Sequence, residues 1–196
     1  MRAAGEATRQ RILTEARKEF AEYGLAGARI NRIATKARAS KERLYAYFAD
    51  KDELFDAVCA GVIKSTADEV RFSADDVPGF VGRLFDIYIA DPDIVRLYDR
   101  ISMDGTRDFR SRGGSIYAIK VEELRRGQEA ATVDPAWDPT VLLSMLLGIV
   151  RLMATEHSLL ESSADGRPTL EERRAAAVRA AEKLVRPTTA TPETSS

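Results

Sequence analysis

The sequence predicts an all-α protein, and three observations carry that prediction. Apolar residues recur at helical spacing through almost every segment of the 196-residue chain. The segment ends carry Ser, Thr, Asp, Pro and Gly at positions where these residues cap or end helices. No segment shows the strict alternation of apolar and polar residues that is typical of a half-buried strand.

The first helix is predicted over residues 8–23, because Ile12, Ala16 and Phe20 lie on one side and Gly24 is suited to ending a helix. Two short helices then follow between residues 28 and 48. Leu44 and Phe48 give the second of them an apolar side. Two short helices that share an apolar contact and expose a basic side indicate a helix-turn-helix unit, whose second helix enters the major groove of DNA.

The rest of the chain is predicted to be helical as well. A fourth helix begins at Lys51, after the capping pattern of Asp50 and Glu53, and extends to about residue 72. Asp-Pro pairs and a second capping pattern at Thr169 mark later helix starts. The remaining predicted helices cover residues 78–90, a stretch from Pro92, residues 115–131, a stretch from Pro139, and residues 169–186.

Charge is distributed unevenly along the chain. Residues 1–53 contain 12 Lys and Arg against 8 Asp and Glu, whereas the other 143 residues contain 18 against 23. A basic N-terminal part on an acidic body suits a protein that points one end at a polyanion. The alternative is that an asymmetry of this size is ordinary scatter.

The composition predicts a cytoplasmic protein. Cys59 is the single cysteine, so no intrachain disulfide can form, which fits a reducing compartment. The N-terminal residues lack the apolar centre of a signal peptide. The longest apolar run, residues 141–150, is too short to span a bilayer.

The first 58 or so residues resemble the DNA-binding domain of the tetracycline-repressor (TetR) family of transcription regulators. The motifs that carry the resemblance, in order, are Tyr23-Gly24, Ile33-Ala34, Ser40, Leu44-Tyr45-Ala46-Tyr47-Phe48 and Lys51-Asp52-Glu53-Leu54. The resemblance implies a three-helix helix-turn-helix DNA-binding domain over residues 1–53 and a helical effector-binding and dimerisation domain over residues 54–186, with about nine helices. Residues 187–196 have no apolar side and are expected to be disordered.

The resemblance also implies a ligand-responsive, DNA-binding transcription regulator that forms a homodimer. The expected mode is a repressor that a small-molecule effector releases from a palindromic operator. One alternative is a helical DNA-binding protein without an effector. An enzyme is less favoured, because one His and one Cys leave no usual nucleophile–base pair and no metal-ligand cluster or phosphate loop is visible. No cofactor and no metal are therefore expected.

The start of the second short helix is where such a unit meets the bases. Lys41 and Arg43 are predicted to contact base edges, since Arg pairs bidentately with guanine. Glu42 is predicted to accept from a cytosine amino group, to discourage wrong sequences, or only to face solvent.

Phosphate contacts are predicted around that helix. Tyr45 and Tyr47 look like the family's phosphate-contacting aromatics, and packing against the first helix is the alternative for Tyr47. Ser40, Arg29 and the helix N-terminus at Lys51 are further phosphate partners, the last because a helix N-terminus attracts anions.

The chain departs from the family's pattern at DNA-facing positions. Ala28-Arg29 stands where two Thr are frequent, and Glu42-Arg43 stands where the recognition helix usually has small residues. Arg38 replaces the turn glycine, at a cost of roughly 1 kcal/mol if the backbone there needs a positive φ. No known operator sequence is transferred to this chain for that reason.

A dimer interface is predicted on the last two helices. The helix after Pro139 is apolar on nearly all sides, and the last helix is rich in small residues that allow close approach. The predicted interface residues are Leu142, Met145, Leu146, Ile149, Met153, Ala177, Val178 and Ala181. A monomer in which these helices are simply central is the alternative.

An effector pocket is predicted between the helix from Lys51 and the helices over residues 78–131. The side chains available to line it are Phe85, Tyr88, Tyr98, Met103, Phe109 and Tyr117. Each of them is also a candidate for ordinary core.

Overall fold

The structure, a computed structural model, describes residues 2–103, 109–155 and 166–187, and the side chains of residues 4–100, 114–155 and 166–187. Within these ranges the chain forms nine α-helices and one 3₁₀ helix but no strand, which confirms the all-α prediction. The helices are α1 (Arg2–Gly27), α2 (Ile30–Lys36), α3 (Lys41–Tyr45), α4 (Lys51–Glu69), the 3₁₀ helix (Ala74–Asp76), α5 (Val77–Ala90), α6 (Pro92–Met103), α7 (Phe109–Glu129), α8 (Pro139–Ala154) and α9 (Leu170–Val185).

Two helices begin earlier than the sequence predicts. α1 begins at Arg2 rather than at residue 8, because the alanine-rich start favours helix although it carries no apolar stripe. α7 begins at Phe109 rather than at residue 115 and runs through Gly113-Gly114. Glycine weakens a helix by about 1 kcal/mol per residue without necessarily ending it.

Two helix ends also differ from the prediction. Gly24 has a φ of 65° and breaks α1 where the sequence predicts, yet the chain makes one more helical turn to Gly27. α4 ends at Glu69 rather than near residue 72. The 3₁₀ helix lies between the two helices predicted to residue 72 and from residue 78, and it is capped by Ser73, whose hydroxyl accepts from the Asp75 amide at 3.2 Å.

The structure contains the capping interactions that the sequence predicts at the starts of the last two helices. Thr169 and Glu172 form a reciprocal capping box at the start of α9. The Asp138 carboxylate accepts from the amides of Thr140 and Val141 at 2.9 and 3.0 Å, which fixes the start of α8. Each of these bonds satisfies an amide that the helix itself leaves unpaired.

The chain divides into two compact units. The N-terminal unit comprises residues 1–68 and 90–114, and the C-terminal unit comprises residues 69–89 and 115–196. The N-terminal unit therefore contains α6 in addition to α1–α4. The C-terminal unit contains α5, most of α7, α8 and α9.

The N-terminal unit is built around an apolar centre that α1 crosses. Phe20 of α1 and Phe55 of α4 stack edge to face with ring centroids 5.0 Å apart, and both are fully buried. α6 packs along α1, where Asp91 forms an ion pair with Arg17. The Arg100 guanidinium donates to the Glu22 carbonyl at 3.2 Å, so α6 also contacts the C-terminal part of α1.

The C-terminal unit is held by the close packing of α9 on α8 and α5. At Gly82 of α5, an added Cβ would lie 2.8 Å from the Arg174 guanidinium and 3.3 Å from Val178, so a larger residue would displace the Arg174 side chain. The Arg174 guanidinium donates to both carboxylate oxygens of Asp86 at 2.8 and 2.9 Å. This bidentate pair fixes the register of α9 on α5.

Candidate nucleic-acid interface

The helix-turn-helix consists of α2, the turn at residues 37–40, and α3. Ile33 and Ala37 from its first half and Leu44 and Phe48 from its second half are buried. Lys41, Glu42 and Arg43, at the start of α3, are all exposed. The apolar contact predicted from the sequence thus forms the buried side, and the residues predicted to read bases lie on the accessible side.

Arg38 occupies the turn in a left-handed backbone conformation, with a φ of 52°. The turn is closed by bonds from the Arg38 amide to the Thr35 carbonyl at 3.1 Å and from the Ala39 amide to the Ala34 carbonyl at 2.9 Å. The backbone at Arg38 therefore has the positive φ that glycine adopts more easily than other residues. An arginine held at this φ stores roughly 1 kcal/mol of strain.

Ser40 has a structural task at the start of α3. Its hydroxyl accepts from the Arg43 amide at 3.1 Å, so Ser40 is the N-cap that the sequence predicts. Hydrogen bonds from its own backbone amide and from Ser40 lower the pKa of the Glu42 carboxyl. Glu42 is therefore anionic at neutral pH.

Two cations at the start of α3 lie over tyrosine rings. The Arg43 guanidinium is 5.6 Å from the ring centroid of Tyr47, and the Lys41 ammonium is 5.9 Å from that of Tyr45. Contacts of this kind restrict the side-chain orientations of exposed cations at a gain of about 0.5–1 kcal/mol. Tyr45 itself is exposed.

Tyr47 packs against the first helix, which was the alternative to a phosphate contact for this residue. It is half-buried, and its hydroxyl donates to the Gly5 carbonyl at 2.9 Å. Gly5 permits this approach, because a Cβ there would lie 3.3 Å from the hydroxyl oxygen. Tyr47 thus fastens the first turns of α1, which the sequence reasoning did not predict as helix, to the residues that follow α3.

A buried glutamate that the sequence reasoning missed organises the start of α2. Arg29 precedes α2 and makes no capping bond with its own side chain. Instead, Glu19 of α1 accepts from the Arg29 amide at 2.9 Å and from the Arg32 guanidinium at 2.8 and 2.5 Å. A carboxylate from another helix therefore caps α2 at a position where Thr is frequent in the family.

Glu19 is ionised despite its burial. Burial alone would raise the pKa of its carboxyl, but the hydrogen bonds from Arg32 and from the Arg29 amide outweigh that effect and lower the pKa. The Arg32 guanidinium also lies 4.2 Å from the ring centroid of Tyr23. The signal for this buried carboxylate in the sequence is a Glu that lies between the apolar residues Ala16 and Phe20 of the first helix.

Lys51 contributes to the structure through its side chain. Its ammonium donates to the carbonyls of Ala26 and Ala28 at 3.5 Å, beside the C-terminal end of α1. The Asp50 carboxylate accepts from the Glu53 amide at 2.7 Å, and the Glu53 carboxylate accepts from the Ala49 amide at 2.6 Å. The α4 start is thus flanked by two carboxylates, which weakens its attraction for a phosphate.

The exposed surface of the motif is basic. Arg29, Lys36, Arg38, Lys41 and Arg43 are all exposed. In the sequence from residue 29 to residue 43, Glu42 is the one acidic residue. A cationic surface of this kind attracts the phosphate backbone of DNA, while the start of α3 supplies side chains that can pair with base edges.

The predicted pocket residues are divided between the two units. Phe85 and Tyr88 are buried on α5, and Tyr117 is half-buried on α7, all in the C-terminal unit. Tyr98 is half-buried on α6 in the N-terminal unit. The side chains of Met103 and Phe109 lie outside the described part of the chain.

Four of the predicted dimer residues lie in the core of a single chain. Leu142, Leu146, Ala177 and Ala181 are fully buried within one chain, where α8 packs on α9. Their side chains have no exposed surface with which to contact a second copy. A helix that is apolar on all sides also packs into the core of its own chain. The other four, Met145, Ile149, Met153 and Val178, remain partly exposed.

None of the described His, Cys, Asp and Glu side chains form a group of three or more that could hold a metal ion. In the same part of the chain, every helix is too short or too polar to cross a membrane.

Comparisons with known proteins agree with this geometry. A model of the bacterial regulatory proteins of the tetR family matches residues 12–58, and a model of the tetracyclin repressor-like C-terminal domain matches residues 76–183. The HTH-type transcriptional repressor SCO4008 of Streptomyces coelicolor is 39% identical over 147 residues, which is 74% of this chain and 77% of that protein.

Solved structures share the same architecture. The crystal structure of SCO4942 from Streptomyces coelicolor, named as a transcriptional regulator, has a TM-score of 0.77 and 36% identity and covers 91% of this chain and 98% of that chain. A TetR family transcription regulator from Marinobacter aquaeolei has the same fold at 19% identity, with a TM-score of 0.75 and coverage of 96% and 100%. The chain belongs to the tetR family of bacterial regulatory proteins, and it is a DNA-binding transcription regulator of the helix-turn-helix type.

Proposed function

We propose that this protein is a cytoplasmic repressor that binds a palindromic operator as a homodimer and leaves it when a small molecule binds. The observation that carries the proposal is the exposed, basic start of α3 on a rigid apolar support. The name of SCO4008 as a repressor supports the sign of regulation. The match of residues 76–183 to a tetracyclin repressor-like C-terminal domain supports an effector-binding role.

Base reading is assigned to Lys41, Glu42 and Arg43. Arg43 pairs with guanine O6 and N7, and Lys41 donates to a neighbouring base or phosphate. Ionised Glu42 accepts from a cytosine amino group and repels phosphates that come too close in a wrong register. Specificity then depends on one repulsive and two attractive side chains.

Phosphate binding is assigned chiefly to Arg29 and Tyr45, whose side chains are exposed. Ser40, Tyr47 and Lys51 contribute by positioning, because their side chains bond within the chain. Phosphate contacts set the register of the protein on the duplex and leave sequence discrimination to the bases.

Dimerisation is assigned to the outer face of α8. Val141 and Leu152 are 50% and 47% exposed, and a Cβ added at Gly148 would meet nothing within 4 Å. With Met145 they follow one another at intervals of four, three and four residues, which is one side of a helix. An open apolar stripe with a glycine in it is suited to close contact with the same helix of a second copy.

The proposed release follows from a population shift. A dimer holds its two recognition helices at one separation when it is bound to a palindrome. An effector that binds better to a different separation lowers the fraction of protein that can bind the operator.

Selection of binding sites from random duplex DNA tests the proposed function. The purified full-length chain is expected to enrich a palindromic motif, and the enrichment is expected to persist as the salt concentration rises while non-specific binding falls. Absence of an enriched motif at every salt concentration would remove the proposed function while leaving the fold unaffected.

A further inference from the structure

A lysine in the C-terminal unit is buried beside two aromatic rings. Lys120 of α7 is only 8% exposed. Its ammonium lies 4.7 Å from the ring centroid of Phe80 on α5 and 5.4 Å from that of Phe72, which precedes the 3₁₀ helix. Among the residues whose side chains are described, no carboxylate forms an ion pair with it.

The nearest acids along the chain are paired with arginines instead. Glu123, one turn further along α7, binds Arg126 at 3.0 Å, and Asp75 binds the same guanidinium at 3.2 Å. Glu122 is paired with Arg125. Both glutamates that follow Lys120 on α7 are therefore held by arginines, and the described contacts of the ammonium are with two aromatic rings.

Two rings compensate a buried ammonium incompletely. Phe72 and Phe80 stack edge to face, with centroids 4.8 Å apart, and they carry no net charge. Their attraction for a cation is weaker than the hydration that the ammonium loses on burial. Burial accordingly lowers the pKa of Lys120 to about 8. A bound anion would restore the missing interaction.

We propose that Lys120 binds the acid group of an apolar monocarboxylate whose hydrocarbon part packs beside Phe72 and Phe80. A single ammonium matches the single charge of a carboxylate. A phosphate would need further donors, and the neighbouring Arg126 is already held by two acids. That this ligand is the effector rests on the proposed function, whereas the binding site itself does not.

Ligand binding to the full-length protein without DNA provides the test. Octanoate and 3-phenylpropionate are compared by calorimetry with their primary amides, octanamide and 3-phenylpropionamide, which have nearly the same shape and no charge. At least one acid is expected to bind about tenfold or more tightly than its amide. Lys120→Met, of similar length, is expected to reduce the acid to the affinity of the amide, and Lys120→Arg to keep the preference. Equal binding of acid and amide, or no binding of either acid, overturns the proposal.

A second measurement uses the wild-type chain and so does not depend on the folding of a variant. Lys120 is reductively methylated at a pH of about 8, which is near its pKa. The extent of methylation is measured by peptide mass mapping, and Lys183, exposed on α9, is the internal control. The acid that binds is expected to protect Lys120 and not Lys183, and its amide is expected to protect neither. Unchanged methylation of Lys120 in the presence of the acid contradicts the site.

The two proposals fail separately in these experiments. A chain that prefers acids but enriches no DNA motif retains the site and loses the proposed function. A chain that enriches a palindrome but shows no preference for acids retains the function and loses the site.

Discussion

Arg38 and Ala131 are the non-glycine residues that the described part of the chain holds at positive φ, at 52° and 54°. Arg38 lies in the turn of the helix-turn-helix, and Ala131 follows the end of α7, where the amides of Thr132 and Val133 both donate to the Gly127 carbonyl. A left-handed backbone is costly for residues with a Cβ and accessible to glycine.

Replacement by glycine is expected to stabilise the protein at both positions. Arg38→Gly and Ala131→Gly should each raise the free energy of unfolding by about 0.5–1 kcal/mol, the relief of strain less the greater entropy of glycine in the unfolded chain. Urea denaturation measures the change. Arg38→Ala is the control, since it removes the same side chain, keeps the Cβ and should change stability by less than about 0.5 kcal/mol. An equal gain from Arg38→Ala would assign the effect to the side chain rather than to φ.

Glu19 is expected to make stability depend on pH on the acid side. Its pKa is lower in the folded chain than the ordinary value of about 4.3, so its contribution is complete above that pH and is lost as pH falls through the folded pKa. Glu19→Gln should cost roughly 1–3 kcal/mol at pH 7, because Arg32 loses its charged partner. The difference between wild type and variant, measured by urea denaturation from pH 7 to pH 3, should shrink only below about pH 4.5. A difference that stays constant to pH 3 would exclude an ionised Glu19 as the source.

The capping residues show which single side chains could be predicted from the sequence. Ser40, Asp138 and Thr169 act on amides two or three residues away, so their partners can be read directly from the spacing. Glu19 and Lys120 could not be predicted in this way, because the groups that they contact lie outside their own helices. A local pattern carries no information about such contacts.

At the scale of elements, the first turns of α1 and the end of the recognition helix are joined by Tyr47. The hydroxyl of Tyr47 bonds to Gly5, whereas the neighbouring Tyr45 is exposed. The two tyrosines therefore have separable tasks, although both resemble the family's phosphate-contacting aromatics.

Removal of the Tyr47 hydroxyl is expected to lower stability, and removal of the Tyr45 hydroxyl is expected to lower DNA affinity. Tyr47→Phe should lower the free energy of unfolding by about 0.5–1.5 kcal/mol and speed amide exchange in the first turns of α1, because a partly buried hydrogen bond is lost. Tyr45→Phe serves as its control: stability should stay unchanged while affinity falls equally for all duplexes, as expected for a phosphate contact. Circular dichroism, hydrogen exchange and fluorescence anisotropy give the three readouts. Loss of stability in Tyr45→Phe, or none in Tyr47→Phe, would reverse the assignments.

Helix type and order could be predicted more fully than helix bounds. The apolar spacing of α1, α3 and α8 identified each as a helix, because one face of each is buried. The bounds of α1 and α7 were missed where helix continues through Ala- or Gly-rich sequence without an apolar stripe. There the helix is an extension of a packed segment, and the extension has no periodic apolar residues from which a helix could be predicted.

At the scale of the whole molecule, the same apolar composition of α8 serves two purposes. Leu142 and Leu146 fill the core of one chain, while Val141 and Leu152 lie on the outer face proposed for the dimer. The apolar sequence of α8 predicts burial on several sides of the helix. The packing of α9 shows which of these sides is buried within one chain.

Leu152→Glu is expected to weaken the dimer without unfolding the protomer. Leu152 is exposed in the single chain, so the charge costs little there, whereas in a symmetric interface it would be buried against its own copy. Dimerisation should weaken by at least about 2 kcal/mol, measured by sedimentation equilibrium. Ile119→Glu on α7, where the isoleucine is 64% exposed, is the control and should leave the dimer intact. A dimer unaffected by Leu152→Glu would place the interface elsewhere.

The affinity of Arg43→Ala for the selected operator and for an unrelated duplex, at one salt concentration, tests most directly whether the start of α3 reads DNA sequence. Loss of a base contact should cost about 1–3 kcal/mol on the operator and much less on the unrelated duplex, so the specificity ratio falls. An equal loss on both duplexes would reduce Arg43 to a phosphate contact, and no loss on either would contradict the assignment of α3 as the reading helix.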